Sequence, residues 1–171
     1  MSEIRSTIID SRFFDGGQEN VSVTSVDVPG ITQSTVDISG AGVMGTVSMP
    51  VTGRIESMEC VVHTRGMDAD NDRLSIPGIH KLEMRYLQDS YSPATAKMAQ
   101  NSVKLFIDGV YKSSEGGSLE PGSVVEGSYT YEVIRMQKFV DGRETLLFDK
   151  ILKIYRVNGV DYWETIRNLL K

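Results

Sequence analysis

Cysteine is almost absent from this chain, and its scarcity excludes several classes of site. Cys60 is the only cysteine among 171 residues, so no internal disulfide and no cysteine metal cluster can form. Met58 and Val62 alternate with it, which predicts a small side chain buried on one strand face rather than a reactive thiol. The two histidines, His63 and His80, have no second ligand at metal spacing on their own strands. We expect no metal site and no cofactor.

Long apolar runs and excess positive charge are also missing. No segment approaches the roughly 20 apolar residues of a membrane helix, and the first ten residues lack the apolar core of a signal peptide, so we expect no membrane anchor. With 18 Lys and Arg against 23 Asp and Glu, the net charge is −5, the wrong sign for neutralising phosphates of nucleic acid. The length predicts a single domain spanning residues 1–171.

Most of the chain alternates between apolar and polar residues, a pattern typical of strands with one buried face. Leu82, Met84 and Tyr86 alternate in this way with charged neighbours. Residues 21–28 change phase, which predicts a β-bulge near Thr24 and Ser25. The fold class is therefore expected to be mainly β, a barrel or sandwich of antiparallel strands with long hairpins and a short helix at the C-terminus.

The strongest predicted element is a hairpin with arms at 124–140 and 143–157, because Asp141-Gly142 supplies the positive φ angles of a tight turn. At about 3.3 Å per residue each arm would span roughly 50 Å, which is too long for a small domain to cover alone. We therefore expect the hairpin to bend or to contact another subunit.

After the turn signal Asn158-Gly159, the pattern changes to the period of a helix. Asp161 could cap this helix with Glu164 reaching back, which predicts a helix over 161–170 with Trp163 as a packing anchor. Its apolar stripe is formed by Ile166, Leu169 and Leu170. Such a stripe packs on its own domain or against a neighbouring subunit.

Glycine, proline and polar residues predict three loops, at 39–53, 66–78 and 113–123. Residues 88–101 are ambiguous between a strand and two helical turns after Pro93.

The stretch GAGVMG at 40–45 matches the G-x-G-x-x-G pattern of dinucleotide-binding turns. That pattern requires a helix directly after the glycines. Thr46 and Val47 are β-branched, and Pro50 would break a helix within its second turn. An NAD-dependent enzyme is therefore the least favoured hypothesis, and a flexible or close-packing glycine loop is preferred.

Asp68, Asp70 and Asp72 have the spacing of the first ligands in a calcium loop. Arg73 stands where that loop needs glycine, however, and Ile79 where it needs a bidentate glutamate, so a solvated acidic turn is preferred. No other group of residues gives positive evidence of catalysis.

Tyr129 and Tyr131 lie on one face of the predicted hairpin. They could form a stacking platform for sugars, which makes a carbohydrate-binding module the alternative function. Core or interface positions are favoured instead, because large rings prefer strands and buried positions.

Taken in order, these features resemble the major tail tube proteins of contractile phage tails and phage tail-like bacteriocins. That family has a glycine-rich extended loop followed by an amphipathic strand, which is similar to Ser39–Gly45 followed by Arg54–Thr64. Its C-terminal third is similar to VDGRETLLFDK and RVNGVDYWETIRNLLK within residues 101–171. Family members also carry a helix after the second main strand, which here is reduced to a turn near 66–78, moved to 93–100 or absent.

The resemblance implies a non-enzymatic structural subunit: hexameric rings stack into a rigid hollow tube, which a contracting sheath drives through the target cell envelope. The tube then conducts DNA in a phage or depolarises the cell as a bacteriocin, and the acidic charge suits a lumen in which DNA slides. The implied partners are further copies of the chain, the sheath protein, the baseplate and tail terminator, and the tape measure protein or DNA in the lumen. The implied location is a virion or tail-like particle, assembled in the bacterial cytoplasm and released.

The resemblance also assigns roles to three groups of residues. The inter-ring loop comprises Ser39, Gly40, Ala41, Gly42, Val43, Met44, Gly45, Pro50 and Gly53. The subunit hairpin comprises Tyr129, Tyr131, Val133, Asp141 and Gly142. The C-terminal motif comprises Val157, Asn158, Gly159, Val160, Asp161, Trp163 and Arg167.

Overall fold

A computed structural model of the chain describes residues 4–171, which form twelve strands and two short helices. In chain order the elements are β1 (Ile4–Asp15), β2 (Gln18–Glu19), β3 (Val23–Asp27), β4 (Gln33–Ser39), β5 (Thr46–Ile55), β6 (Glu59–Arg65), α1 (Ala69–Arg73), β7 (Ile79–Ser92), β8 (Lys97–Glu115), β9 (Glu126–Val140), β10 (Arg143–Asp149), β11 (Ile154–Val157), β12 (Val160–Asp161) and α2 (Glu164–Leu169). The expectation of a mainly antiparallel β fold with a short C-terminal helix is confirmed.

The strands form one large antiparallel sheet and one separate hairpin. The large sheet has the order β12-β11-β10-β9-β8-β7-β1-β2, and β6 branches from β9 and carries β3 on its other edge. β4 and β5 pair only with each other. We call β3 and β6 the branch. Side chains from the branch and from β1, among them Val26, Val62 and Phe13, pack in one hydrophobic core.

The strand β9 has two different partners along one edge. Its residues 126–132 pair with β6, and its residues 135–140 pair with β10. At the change of partner the Val133 N–H donates to the Met58 carbonyl, and the Ile134 carbonyl accepts from the Lys150 N–H. β8 follows the other edge of β9, with register shifts near Gly109 and at Tyr111 to Ser113.

The predicted hairpin around Asp141-Gly142 is confirmed in its turn and first arm. Asp141 has φ 50° and Gly142 has φ 77°, as a tight hairpin turn requires. The prediction of a continuous second arm over 143–157 is wrong, because the Asp149 carboxylate accepts hydrogen bonds from the N–H groups of Ile151 and Leu152 and turns the chain there.

The longest hairpin is instead β7–β8, which joins 79–92 to 97–115. Helical turns in 88–101 are ruled out, because this segment is the end of that hairpin, with Ser92 opposite Lys97 and Ala96 at φ 50° in the turn. Cross-strand pairing therefore overrides the weak helix propensity of this alanine-containing segment.

The core lies between the branch and the inner face of the large sheet. The phase change predicted near Thr24 and Ser25 is confirmed as a register shift between Val23 and Ser25. Cys60 is fully buried, and burial raises the pKa of its thiol to about 12, in agreement with the expected structural role. The other buried hydrophobic members of this cluster are Phe13, Met58, Val62, Leu74, Leu82, Leu105, Ile107, Tyr131, Val133, Met136, Phe148 and Trp163.

The three predicted loops need correction. Residues 46–53 belong to strand β5, where Pro50 is tolerated because the two-stranded sheet has free edges. The strand expected over Arg54–Thr64 is interrupted at 56–58 between β5 and β6. The segment 66–78 contains the single helical turn α1, and β8 extends to Glu115 before the loop of 116–125 begins.

Candidate assembly interface

The glycines of GAGVMG form the tip of the β4–β5 hairpin. Gly40, Gly42 and Gly45 have φ values of 136°, 94° and 98°, which L side chains rarely adopt. A strand follows Gly45 rather than a helix, so no helix N-terminus is present to receive a pyrophosphate. The geometry supports the glycine-loop interpretation and removes the basis for the dinucleotide hypothesis.

The hairpin behind this tip is amphipathic. Val36 lies opposite Met49, and Ile38 lies opposite Val47, so four apolar side chains share one face. Each of the four is between 44% and 52% exposed, and the opposite face carries Asp37 and Pro50 besides serine and threonine. A two-stranded sheet is marginally stable alone, so this face is available for a cover from outside the chain.

The C-terminal motif supports the base of that hairpin. At Gly53, with φ 77°, a Cβ atom would lie only 3.0 Å from Ile166 Cδ1 of α2, so glycine allows the helix to approach β5. Arg167 ties α2 down by donating to the Asp161 carboxylate at 2.6 Å and to the Lys153 carbonyl at 2.7 Å. These contacts join the end of β12, the turn before β11 and the helix into one unit.

Asp161 orients the chain rather than capping the helix as predicted. Its Oδ1 accepts from the Trp163 N–H at 3.0 Å, and the helix begins only at Glu164. The hydrogen bond from Arg167 is the main cause that lowers the Asp161 pKa. Trp163 is 5% exposed and packs against Phe148 and Tyr155, so its predicted role as a packing anchor is confirmed.

The remainder of the C-terminal motif forms a second turn and an exposed edge. Asn158-Gly159 makes the predicted tight turn, with φ 49° and 86°, between Val157 of β11 and Val160 of β12. Of the apolar stripe on α2, only Ile166 packs against the core. Leu169 and Leu170 are 81% and 68% exposed, so the helix buries less of its own stripe than expected.

A three-stranded flap extends the large sheet beyond β9. We define it as residues 4–10 of β1, 87–92 of β7 and 97–102 of β8, paired in that order. Within the part of the chain that the structure describes, β1 over 4–10 and β8 over 97–101 have no strand on their outer edges. Apolar side chains stand exposed on the flap: Ile4, Ile8, Ile9, Leu87, Tyr91 and Met98.

A groove separates the two free edges formed by β1 and β3. We call it the β1–β3 groove; Phe13, Met84 and Tyr86 lie along its sheet side, and Val21 and Val28 lie on the side of β3. Its volume is about 460 Å³. Eight of the fourteen lining residues are apolar or aromatic, and the polar remainder includes the Arg12–Glu19 ion pair. The groove lies immediately before the connection that leads into β4.

The tyrosines of the predicted sugar platform do not form one. Tyr131 is fully buried and donates its hydroxyl to the Leu74 carbonyl at 2.6 Å. Burial raises the Tyr131 pKa above its ordinary value, and Tyr129 is half-buried beside the core. Tyr131 and Val133 are fully buried and therefore belong to the core, which corrects the subunit-contact role that the resemblance implies for them; Tyr129 packs beside the core.

The segment 66–78 closes one end of this core through polar contacts. Asp68 caps α1 by accepting from the Asn71 N–H at 2.8 Å, and it also accepts from the Ser22 hydroxyl, which is the main cause that lowers the Asp68 pKa. His80 contacts Asp15 at 2.9 Å and the Ile76 carbonyl at 2.7 Å. The family helix considered from the sequence is thus reduced to one turn rather than moved to 93–100.

A second polar cluster fixes the point where β9 changes partner. The Glu132 carboxylate accepts from the Ser57 hydroxyl, the Met58 N–H and Lys150 Nζ. Burial acts to raise the Glu132 pKa, but these hydrogen bonds outweigh it and lower the pKa overall.

Two further properties bear on function. Over residues 4–171, no three His, Cys, Asp or Glu side chains are grouped so that they could hold a metal ion. Neither helix in that range has the length and apolar character needed to cross a bilayer.

Sequence reasoning missed the flap and the apolar face of the hairpin. The flap part of β1 has register shifts at Arg5 to Ile8 and at Ile8 to Asp10, so its apolar residues do not alternate. The sequence IRSTIID at residues 4–10 contains three isoleucines that fit neither a helical nor an alternating pattern. This irregular apolar segment was the one feature that could have indicated the flap. The apolar face of the β4–β5 hairpin was not predicted, because the glycines and Pro50 indicated a loop over 39–53.

Comparison with known proteins gives both a sequence match and a fold match. The model of the family described as phage tail tube protein FII matches residues 5–170. No curated protein has a significantly similar sequence. The fold is shared with a chain of the extended-state sheath/tube terminator of PVC, an extracellular contractile injection system, with 13% identity over 81% of this chain and 99% of that chain and a TM-score of 0.52. A chain of the PVC sheath-tube complex covers 75% of this chain and 87% of its own length, with 14% identity and a TM-score of 0.49.

Proposed function

The chain belongs to the phage tail tube protein FII family and is a structural subunit of a tail tube, and we propose that six copies close a ring whose stacked repeats form a hollow tube. The family assignment confirms the resemblance found in the sequence. In this proposal residues 1–171 act as one tail tube domain, and the role is mechanical and needs no catalytic group.

The observation that carries the proposal is the flap with one unpaired edge on each side. An exposed strand edge is a template for pairing with another chain, and a closed barrel removes such edges. A copy that offers an edge on both flanks can pair with two neighbours, and repetition around an axis closes a ring. The exposed apolar side chains of the flap would be covered in the same step.

The β4–β5 hairpin supports stacking of rings. We assign the inter-ring contact to its tip, Ser39–Gly45, and to its uncovered apolar face. Pro50 and Gly53 shape the strand below the tip, and the base of the hairpin contacts Ile166 of α2, the helix that Arg167 anchors. In this proposal lateral closure uses the flap, and axial stacking uses the β4–β5 hairpin.

In the assembled particle, a sheath surrounds the tube and contraction drives it through the envelope of a target cell. The tube ends at a baseplate and at a terminator, and its lumen holds a tape measure protein or DNA. Assembly takes place in the bacterial cytoplasm, and the finished virion or tail-like particle acts outside the producing cell. The family assignment and the two kinds of open β surface support this part of the proposal.

Electron microscopy of the purified chain tests the proposal. We expect rings about an axis, and stacked tubes as protein concentration rises. A carbohydrate-binding module would instead remain monomeric and bind glycans, and the buried Tyr131 speaks against that alternative. A chain that stays monomeric at all salt and protein concentrations, also in the presence of a preformed tube end, would contradict ring formation.

A further inference from the structure

The tip of the β4–β5 hairpin presents one large apolar side chain, Met44, entirely to solvent. Met44 is fully exposed, at 106% of its reference area, and it stands between Gly42 and Gly45, both at positive φ. Because these conformations favour glycine, the tip has a specified shape rather than being an arbitrary flexible loop. The tip therefore holds an apolar, adaptable side chain away from the body of the protein.

The hairpin that carries Met44 is suited to entering an apolar site. Between Gln33 and Met49, Asp37 is the only charged residue, so little charge has to be desolvated on contact. From Gln33 to Ser39 the strand covers about 20 Å at roughly 3.3 Å per residue, and the tip lies beyond it. The tip can therefore act at a distance from its own subunit.

The β1–β3 groove has complementary chemistry. Its floor offers Phe13 and Tyr86, and a methionine sulfur makes favourable contacts with aromatic rings. Val21 lies at the rim and is 81% exposed. The groove volume of about 460 Å³ is ample for a methionine side chain and its neighbour Val43.

Resting on the proposed function, we propose that Met44 of one copy inserts into the β1–β3 groove of a copy in the adjacent ring. The tip and the groove are different surfaces of the same chain, so the contact is heterologous and can repeat without limit along an axis. A tip that bound another tip would give an isologous contact and would stop at two rings. An open-ended tube requires the first arrangement.

The position of the groove in the chain favours this occupant. Val28, on its rim, lies five residues before Gln33, where the hairpin begins. In a head-to-tail stack each hairpin base therefore lies near the groove of its own copy, and the groove of the adjacent ring is displaced from it by one ring along the axis. The hairpin has only to span that displacement.

Disulfide trapping tests the contact directly. The double variant Met44→Cys with Val21→Cys should form, on mild oxidation, a covalent ladder of many chains on a denaturing gel, because every chain carries both halves of the link. Cys60 does not interfere, since burial keeps its thiol protonated and inaccessible. The matched control is Met44→Cys with Val124→Cys, because Val124 is also exposed, at 61%, but lies outside the groove.

The outcomes separate this inference from ring formation. A ladder in the double variant and none in the control supports the inference. Dimers from Met44→Cys alone would overturn it in favour of a tip-to-tip contact. Tubes seen by microscopy without a ladder would also overturn it and leave the proposed function intact, whereas neither rings nor a ladder would count against both.

A substitution that keeps size and removes apolarity gives a second measurement. Met44→Gln should shift the population from tubes to single rings at equal protein concentration. Met67→Gln should leave the tubes unchanged, since Met67 is also exposed, at 70%, but lies away from the hairpin tip. Equal tube formation by both variants would overturn the inference.

Discussion

At the residue scale, close packing around β9 explains why certain small residues occur in long strands. Gly109 lies buried in the middle of β8, and a Cβ atom there would be 2.9 Å from the Tyr131 Cβ. Tyr131 cannot retreat, because its hydroxyl is bound to the Leu74 carbonyl. The absence of a side chain at Gly109 is therefore needed for the register of β8 against β9.

Gly109→Ala should lower the free energy of unfolding by about 1–3 kcal/mol, the usual cost of overpacking a filled core. Urea denaturation monitored by tryptophan fluorescence measures the change. Gly116→Ala is the matched control, because no heavy atom lies within 4 Å of a Cβ built there. Equal stability of the two variants would contradict the packing assigned to Gly109.

The pair formed by Asp161 and Arg167 predicts a pH-dependent contribution to stability. Because the Asp161 pKa is lowered in the folded state, its contribution is fully present above the unfolded pKa, near 3.9. It is lost as the pH falls through the lower folded pKa. Asp161→Asn should cost about 1–3 kcal/mol at neutral pH, with the difference from the wild type shrinking below about pH 4.

Thermal unfolding between pH 3 and pH 7 measures this difference. Asp37→Asn provides the control for the loss of one aspartate, since Asp37 is an exposed aspartate on β4. A constant deficit of Asp161→Asn down to pH 3 would show that the carboxylate charge is not what stabilises the turn.

At the scale of elements, the β4–β5 hairpin is almost independent of the body. It pairs with no other strand, and the four apolar side chains of its outer part are 44% to 52% exposed. Its base, at Gly53 and Ile55, is where it contacts the body of the protein. Its contribution to the stability of a single chain should therefore be small. Its contribution to assembly should be large.

Replacement of residues 37–48 by a two-residue Asn-Gly turn tests this separation. Val36 and Met49 are already paired, and unlike Pro50 both have a backbone N–H, so they can form the hydrogen-bonded pair that closes the shortened hairpin. We expect a melting temperature within a few degrees of the wild type and rings that do not stack. Scanning calorimetry and electron microscopy give the two readings, and a large fall in melting temperature would show that the hairpin is part of the core.

The elements that the sequence predicted well are those whose signal is local. The turns at Asp141-Gly142 and Asn158-Gly159 depend on two residues that tolerate positive φ, and both formed as expected. The break of the predicted second arm depends on the Asp149 side chain turning the backbone, and that role of an aspartate is not distinguishable in sequence from a solvated one.

The elements that it predicted poorly depend on distant pairing. Residues 88–101 form the end of the β7–β8 hairpin only because their two arms pair with each other and β1 pairs with β7 beside them, and β5 includes Pro50 only because its sheet has two free edges. The candidate site was found at its glycine tip but not on its apolar face, since that face is visible only when β4 and β5 are placed side by side. The flap was missed for the same reason.

At the scale of the whole molecule, the flap should control association while leaving the fold intact. Met98 is 69% exposed near the free edge of β8. Met98→Lys should block ring closure, because charged side chains on an edge oppose strand addition. Ile79→Lys should not, since Ile79 is equally exposed, at 67%, at the opposite end of β7.

Analytical ultracentrifugation measures this difference, with circular dichroism as the check that both variants remain folded. We expect Met98→Lys to sediment as a monomer under conditions in which Ile79→Lys and the wild type form rings. Rings formed equally by all three would show that the flap edge does not join the subunits.

The double pairing of β9 has a mechanical consequence for a tube that is pushed through an envelope. β9 is hydrogen-bonded to β8 along one edge and to β6 and then β10 along the other. A force applied along β9 therefore loads these inter-strand hydrogen bonds in shear. Many hydrogen bonds then resist together, whereas a load applied across a free hairpin would peel them one at a time. β9 also runs through both ends of the sheet: its residues before Val133 pair with β6, and its residues after Ile134 pair with β10. The core end and the flap end therefore share one continuous strand and cannot separate without breaking its hydrogen bonds.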